Sequence, residues 1–284
     1  MPLDTANRQI DKGRRMRIWV GEQGPIAGIR AFECTATEAI DRFGEYDSDA
    51  QVVDVQVPET NGFIEMMESE KTTFYAALQG VTDASLADSE ITAFGSPWVV
   101  CNVWNKQRTR YNKGVLVINP VFHTQPFTTA LNDATVSRFE FAATRMVKAP
   151  SRPIVCDKFL YNAAAGAKLK LTLSRVPRAL SHSFLDATGA QGYVLGVAAK
   201  IAKSTSAPYA WAWEELKIES SASAGMDIVV SRAVTGDTFA AQGGAPMVLM
   251  AYYVQDSNTI DASTNYGEFP GYSYGSGVNC VTSA

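Results

Sequence analysis

Residues 51–80, QVVDVQVPETNGFIEMMESEKTTFYAALQG, govern how the rest of the chain is read. Val53, Val55 and Val57 alternate with Asp54 and Gln56, the period-two pattern of a half-buried strand. Residues 58–62, PETNG, read as a turn, since Asn61-Gly62 accepts positive φ, and 63–67, FIEMM, as the strand that returns. A short helix follows. Ser69 is placed to cap it, Gly80 to end it, and Phe74, Ala77 and Leu78 fall on one face as its core side. The stretch predicts a hairpin handing directly to one amphipathic helix laid on a sheet.

Working outward, residues 16–22 and 29–37 form two strands around the turn cluster 21–25, with Phe32 and Cys34 on one face and Glu33 and Thr35 on the other. Residues 41–50, DRFGEYDSDA, read as a long polar loop carrying Asp41, Glu45, Asp47 and Asp49, with Phe43 and Tyr46 embedded in it as candidates for a partner surface. Past the helix come the apolar run 98–104 (WVVCNVW), a return strand centred on 115–118, and 134–144 (ATVSRFEFAAT). The last sets Phe139 and Phe141 against Arg138 and Glu140. About seven strands and one helix predict a mainly antiparallel β domain over 16–150, a barrel or sandwich. Residues 148–153 read as a linker.

Residues 151–255 read as a second, β-sandwich-like domain, with strands at 167–176, 192–199, 226–233 and 247–254. The polar residues 1–15, ending in Lys12, Arg14 and Arg15, form an N-terminal arm, either solvated or ordered on a neighbouring subunit. Residues 256–284, rich in Gly, Ser and Tyr, form an extended tail.

Composition narrows the function. With 284 residues and 46% hydrophobic content the chain can bury a sizeable core. Its 25 basic and 29 acidic residues give a net charge of −4, which disfavours a tight grip on nucleic acid. No apolar run approaches the length that spans a bilayer, and no N-x-Ser/Thr sequon occurs, so a soluble cytosolic product without a membrane role is expected. Four scattered cysteines and two isolated histidines, His123 and His182, argue against a metal site. Cys34 and Cys101 read as buried thiols.

Catalytic signals are thin. Residues 271–275, GYSYG, match the nucleophile-elbow pattern but lack a later histidine. No phosphate-binding or dinucleotide-binding loop occurs, so no enzyme, cofactor or catalytic residue is expected. Lys158, Lys168 and Lys170 read as a mild basic patch. Two tryptophan pairs, Trp98 with Trp104 and Trp211 with Trp213, each share a strand face and would suit either a core or a sugar platform.

The order of these elements resembles the tail tube (major tail) protein of long-tailed bacteriophages. The likeness rests on QVVDVQVP, FIEMM, the short FYAALQG helix and the late VSRFEFAAT strand, and it covers about residues 1–150. It implies a non-enzymatic virion protein, assembled in the host bacterial cytoplasm, that forms stacked, hexameric rings with itself. It further implies contacts to other tail proteins at the tube ends and a channel that passes double-stranded DNA without binding it tightly. The segment 151–255 would then be an exterior decoration. Arg14, Arg15, Asp41, Phe43, Glu45, Tyr46, Asp47 and Asp49 would be the contacts between subunits or rings. Two other classes stay open: another virion component (decoration, neck or capsid), and a carbohydrate-binding β-sandwich.

Overall fold

The computed structural model describes residues 16–37, 40–44, 51–55, 59–67, 71–79, 95–105, 110–123, 136–161, 167–173, 177–178, 194–202, 211–221, 227–234, 239 and 247–255. They form antiparallel sheets and one helix, the mainly β class expected from the alternation.

A middle sheet joins β1 (Met16–Val20), β6 (Val99–Trp104), β7 (Tyr111–Ile118) and β10 (Arg145–Pro150), in that order. Its central strand β6 is buried on both faces, as is the second half of β7, so both sides must be covered. Ile18, Val99, Cys101, Val103, Val115 and Val117 enter one core. Trp19, Trp98, Val100, Leu116, Ile118, Val147 and Ala149 enter another.

The first core is closed by a hairpin sheet of β2 (Ile29–Thr37), β5 (Glu59–Met67), β9 (Val136–Ala143) and β8 (Val121–Phe122). Ile64, Met66, Phe139 and Phe141 point inward from it, together with the helix α1 (Lys71–Gln79). The second core is closed by a C-terminal sheet, ordered β11 (Ile154–Tyr161), β16 (Met247–Val254), β13 (Val194–Ala202), β14 (Trp211–Ser221), β15 (Asp227–Ser231) and β12 (Lys168–Thr172). Strands β13 and β16 are buried along their whole length and supply the centre of that core.

Four sequence expectations are corrected. Residues 59–62 are no turn: β5 runs straight through them, in register with Thr37 to Cys34, and from Thr60 on with Ala143 to Phe141. Gly62 is there because a Cβ would stand 2.3 Å from the Glu33 carbonyl oxygen and 2.6 Å from the Phe141 ring. It is a close-approach glycine within a strand. Residues 41–50 are not all loop. Ile40–Gly44 is a strand, β3, paired with β4 (Gln51–Val55) from Ile40↔Val55 to Gly44↔Gln51. The chain therefore reverses between Gly44 and Gln51, and β2–β3 and β4–β5 are the two legs of one long hairpin.

Strands β1 and β2 belong to different sheets, so the glycine cluster between them is a crossover. Gly21 (φ 54°), Gly24 (φ 144°) and Gly28 (φ 70°) make that path possible. The presumed linker is the end of β10 and a turn at Ser151, and the amide of Ser151 donates to the Asn112 carbonyl. Finally, Lys158 is buried on β11, at the opposite edge of its sheet from Lys168 and Lys170 on β12. The arm 1–15, the tail 256–284 and the caps Ser69 and Gly80 lie outside the described residues.

Candidate assembly surface

The hairpin sheet hides one face and presents the other. Period-two alternation puts Phe32 and Cys34 of β2, Ile64 and Met66 of β5, and Phe139 and Phe141 of β9 against the core. Phe74 of α1 seals that side, its ring 4.6 Å from Phe139 and 5.6 Å from Phe122, edge-on to the latter. Phe74, Ala77 and Leu78 are all buried.

The outward face carries Glu33, Thr35, Glu59, Asn61, Phe63, Glu65, Arg138 and Glu140. Part of it forms an open groove of about 540 Å³, lined among others by Glu33, Asn61, Phe63, His123, Arg138 and Glu140. The one arginine at these strand positions is occupied. Its guanidinium lies 3.7 Å from the centre of the Phe63 ring and its Nε donates to Glu140 at 3.1 Å. With four glutamates against that engaged cation, the face is acidic.

The two edges of this sheet differ. Among the described residues, β2, nine residues without proline, is the strand at one edge, and β8, two residues long, is the strand at the other. A long edge of this kind is a template for another strand, although β2 carries a bulge between Ile29 and Ala31. Beyond it, β3 and β4 extend the hairpin. The nine residues of β2 and five of β3 amount to roughly 45 Å of strand.

The sequence-predicted contact residues are distributed as follows. Asp41 and Phe43 stand on β3, opposite Asp54 and Val52 of β4. Arg14, Arg15, Glu45, Tyr46, Asp47 and Asp49 lie outside the described residues. The groove residues and the β2 edge were missed as a surface. Their only signal was the alternation of Arg138 and Glu140 with two phenylalanines.

Other candidate chemistry resolves into structure. Trp98 and Trp104 are buried, and Trp213 packs on the second core, which removes three of the four sugar platforms. Trp211 carries the Lys200 ammonium 4.2 Å from its ring centre. Lys200 is nearly buried and pairs with the Glu22 carboxylate, while Lys158 donates to the Glu22 carbonyl oxygen. Burial pulls the Lys158 ammonium below its ordinary range, and Glu22 partly restores it. Burial likewise pushes the Cys34 thiol up to about 11, which makes it a poor nucleophile. Among the described residues no cluster of three or more His, Cys, Asp or Glu is placed to hold a metal, and no helix is long and apolar enough to cross a membrane.

No family model and no curated protein matches the chain. Among solved structures it is similar to a chain of the sheath–tube complex of an extracellular contractile injection system (PVC) in its extended state. That match has 12% identity and a TM-score of 0.35, covering 51% of this chain and 95% of the other. It is similar to a chain of the tube-terminating cap of the anti-feeding prophage, at 8% identity and TM-score 0.36 over 48% and 88% of the two chains. It is also similar to the Dit protein of phage SPP1, a hub adsorption protein, at 7% identity and TM-score 0.27 over 84% and 98%.

Proposed function

We propose that the chain is a structural component of a phage-type tail that assembles into rings through the hairpin sheet. The observation that carries this reading is the inequality of that sheet's edges among the described residues, with a nine-residue β2 on one side and a stub, β8, on the other. Two copies cannot pair the same edge and also satisfy the stub. Successive copies therefore pair head to tail, an arrangement that closes into a ring or runs on as a filament. Closure of the sheet across copies removes every open edge.

The acidic outward face would then line the bore, where it lets a polyanion slide without being held. The long hairpin would reach the adjacent ring or copy, with Asp41 and Phe43 on its outer half. The sequence likeness to tail tube proteins supports the same reading, and no catalytic constellation competes with it among the described residues.

Size-exclusion chromatography over a concentration series, read beside negative-stain microscopy, tests it. Rings or hollow tubes of uniform width are expected. Replacing residues 45–50 by Asn-Gly, a turn suited to a two-residue hairpin, is expected to leave the monomer folded and stop stacking. Closed oligomers without a lumen, or a glycan-dependent shift in elution, refute the proposal.

A further inference from the structure

The chain passes between the middle sheet and the hairpin sheet at Gly21–Gly28 (β1 to β2), at Asn119-Pro120 (β7 to β8) and at Thr144 (β9 to β10). It enters the middle sheet after the helix at Gly95–Trp98, where the Gly95 amide donates to the Leu78 carbonyl. Two residues of one C-terminal strand touch all four places. Trp213 of β14 packs its ring where side chains of Gly21 and Gly95 would stand, 2.9 Å and 2.8 Å from their virtual Cβ positions.

Two positions further along the same strand, the Glu215 carboxylate takes the other two crossovers. Arg145, the first residue after the Thr144 bend, donates Nη2 to it at 2.6 Å. Asn119, held at φ 49°, donates Nδ2 at 3.4 Å and accepts the Trp98 indole N–H at 2.8 Å. Trp98 in turn stacks on Tyr252 of β16, centroids 5.2 Å apart, and fills the space left by Gly196.

We infer that β14 is a brace: Trp213 and Glu215 set the angle between the middle and hairpin sheets, and with it the direction of the β2 edge and the hairpin. The C-terminal half thereby governs the geometry of the assembly surface without belonging to it. Its consequence for assembly rests on the tail reading above; the brace itself does not. Such a device follows from packing: the shared core holds the two sheets face to face, and contacts at the short crossovers between them add a restraint on their mutual angle. Trp213 and Glu215 are positioning residues in this scheme.

The test is backbone amide exchange on the full-length protein as isolated, comparing Trp213→Ala/Glu215→Ala with Leu169→Ala, which opens the same sheet's core on β12, far from the crossovers. Glu215→Gln is the milder variant if the double change does not fold. Peptides over 18–30, 95–99, 116–123 and 141–147 are expected to exchange about tenfold faster in the β14 variants, with β16 peptides unchanged. Leu169→Ala is expected to spare the crossovers. Unchanged crossover exchange in the β14 variants, or equal loosening in Leu169→Ala, overturns the brace. Loosened crossovers with rings or tubes of wild-type width overturn its role in assembly and leave the tail reading standing.

Discussion

Asn102 offers the sharpest test of whether the middle and C-terminal sheets fold as one unit. It lies on β6, wholly buried, and its side-chain amide behaves as a missing neighbour strand for β11. Its Nδ2 donates to the Ile154 carbonyl at 2.8 Å, and its Oδ1 accepts the Ile154 amide at 2.9 Å. Gly114 makes room, since a Cβ there would stand 2.8 Å from the Ile154 nitrogen. Asn102→Ala leaves a buried donor and a buried acceptor without partners, each costing about 1–3 kcal/mol, so the loss is about 2–6 kcal/mol. For a chain of this size that lowers the melting midpoint by roughly 5–15 °C.

Asn102→Asp still accepts from the amide but sets an anion against the carbonyl, so it is expected to be worse than alanine at neutral pH. Its deficit shrinks in acid: burial raises the new carboxyl's pKa, and the protonated form donates where the amide did. Calorimetry together with tryptophan fluorescence should record one cooperative transition in each case. A change below about 0.5 kcal/mol, or two separated transitions, refutes the reasoning.

Gly62→Asn separates the strand from the turn reading. A turn would accept asparagine, whereas a strand glycine 2.3 Å from a carbonyl at its virtual Cβ cannot, and a loss of about 2–3 kcal/mol in urea unfolding is expected. Lys158→Met tests the buried ammonium. Its folded-state pKa is depressed below 10.5, so between the two values the unfolded chain holds more protons and stability rises with pH. The variant should flatten that alkaline rise, and denaturation series from pH 8 to 10.5 would show an unaltered slope if Lys158 were solvated. Cys34, with its thiol near 11, has about one thiolate in a thousand at pH 8. Cys34 is half-buried, not buried as its sequence suggested; alkylation located by mass spectrometry is expected to be slow there and to speed about tenfold per pH unit up to that value, and rapid labelling at neutral pH contradicts the raised thiol.

How far the sequence disclosed this fold depends on which faces were covered. Alternation in β9 placed Phe139 and Phe141 inside and Arg138 and Glu140 outside, because one face of that strand meets water. Strand β11, IVCDKFLY, has Asp157 and Lys158 at its centre, and Lys158 read as part of a basic patch. Both are buried, Asp157 accepting from the Tyr253 hydroxyl at 3.1 Å and Lys158 meeting Glu22, partners far away in sequence. Gly62 misplaced the hairpin, since a close-approach glycine and a turn glycine are the same letter beside Asn61. For the same reason 41–50, full of carboxylates, concealed β3, whose pairing with β4 is a backbone matter. Nothing in the spacing of Trp213 and Glu215 marks them, because what they hold lies about 70 to 190 residues away in the chain.

The shared core also bears on how the halves are related. A linker at 148–153 would let 16–150 fold alone, with 151–255 as an appendage. In the structure Trp19, Trp98, Val100, Leu116, Ile118, Val147 and Ala149 all leave their burial if the C-terminal sheet is removed. At about 1.5–3 kcal/mol for each large side chain, their exposure costs on the order of 10–20 kcal/mol. That matches or exceeds the whole net stability of an ordinary domain, about 5–15 kcal/mol. A fragment of residues 16–150 is therefore expected to aggregate or remain unfolded, and adding 151–255 in trans is expected to recover some of it. A soluble monomeric fragment with a cooperative melt and strand-rich circular dichroism refutes this. It would mean that the two sheets meet only after each half has folded, and that Trp98 and Tyr252 stack as partners across an interface between domains.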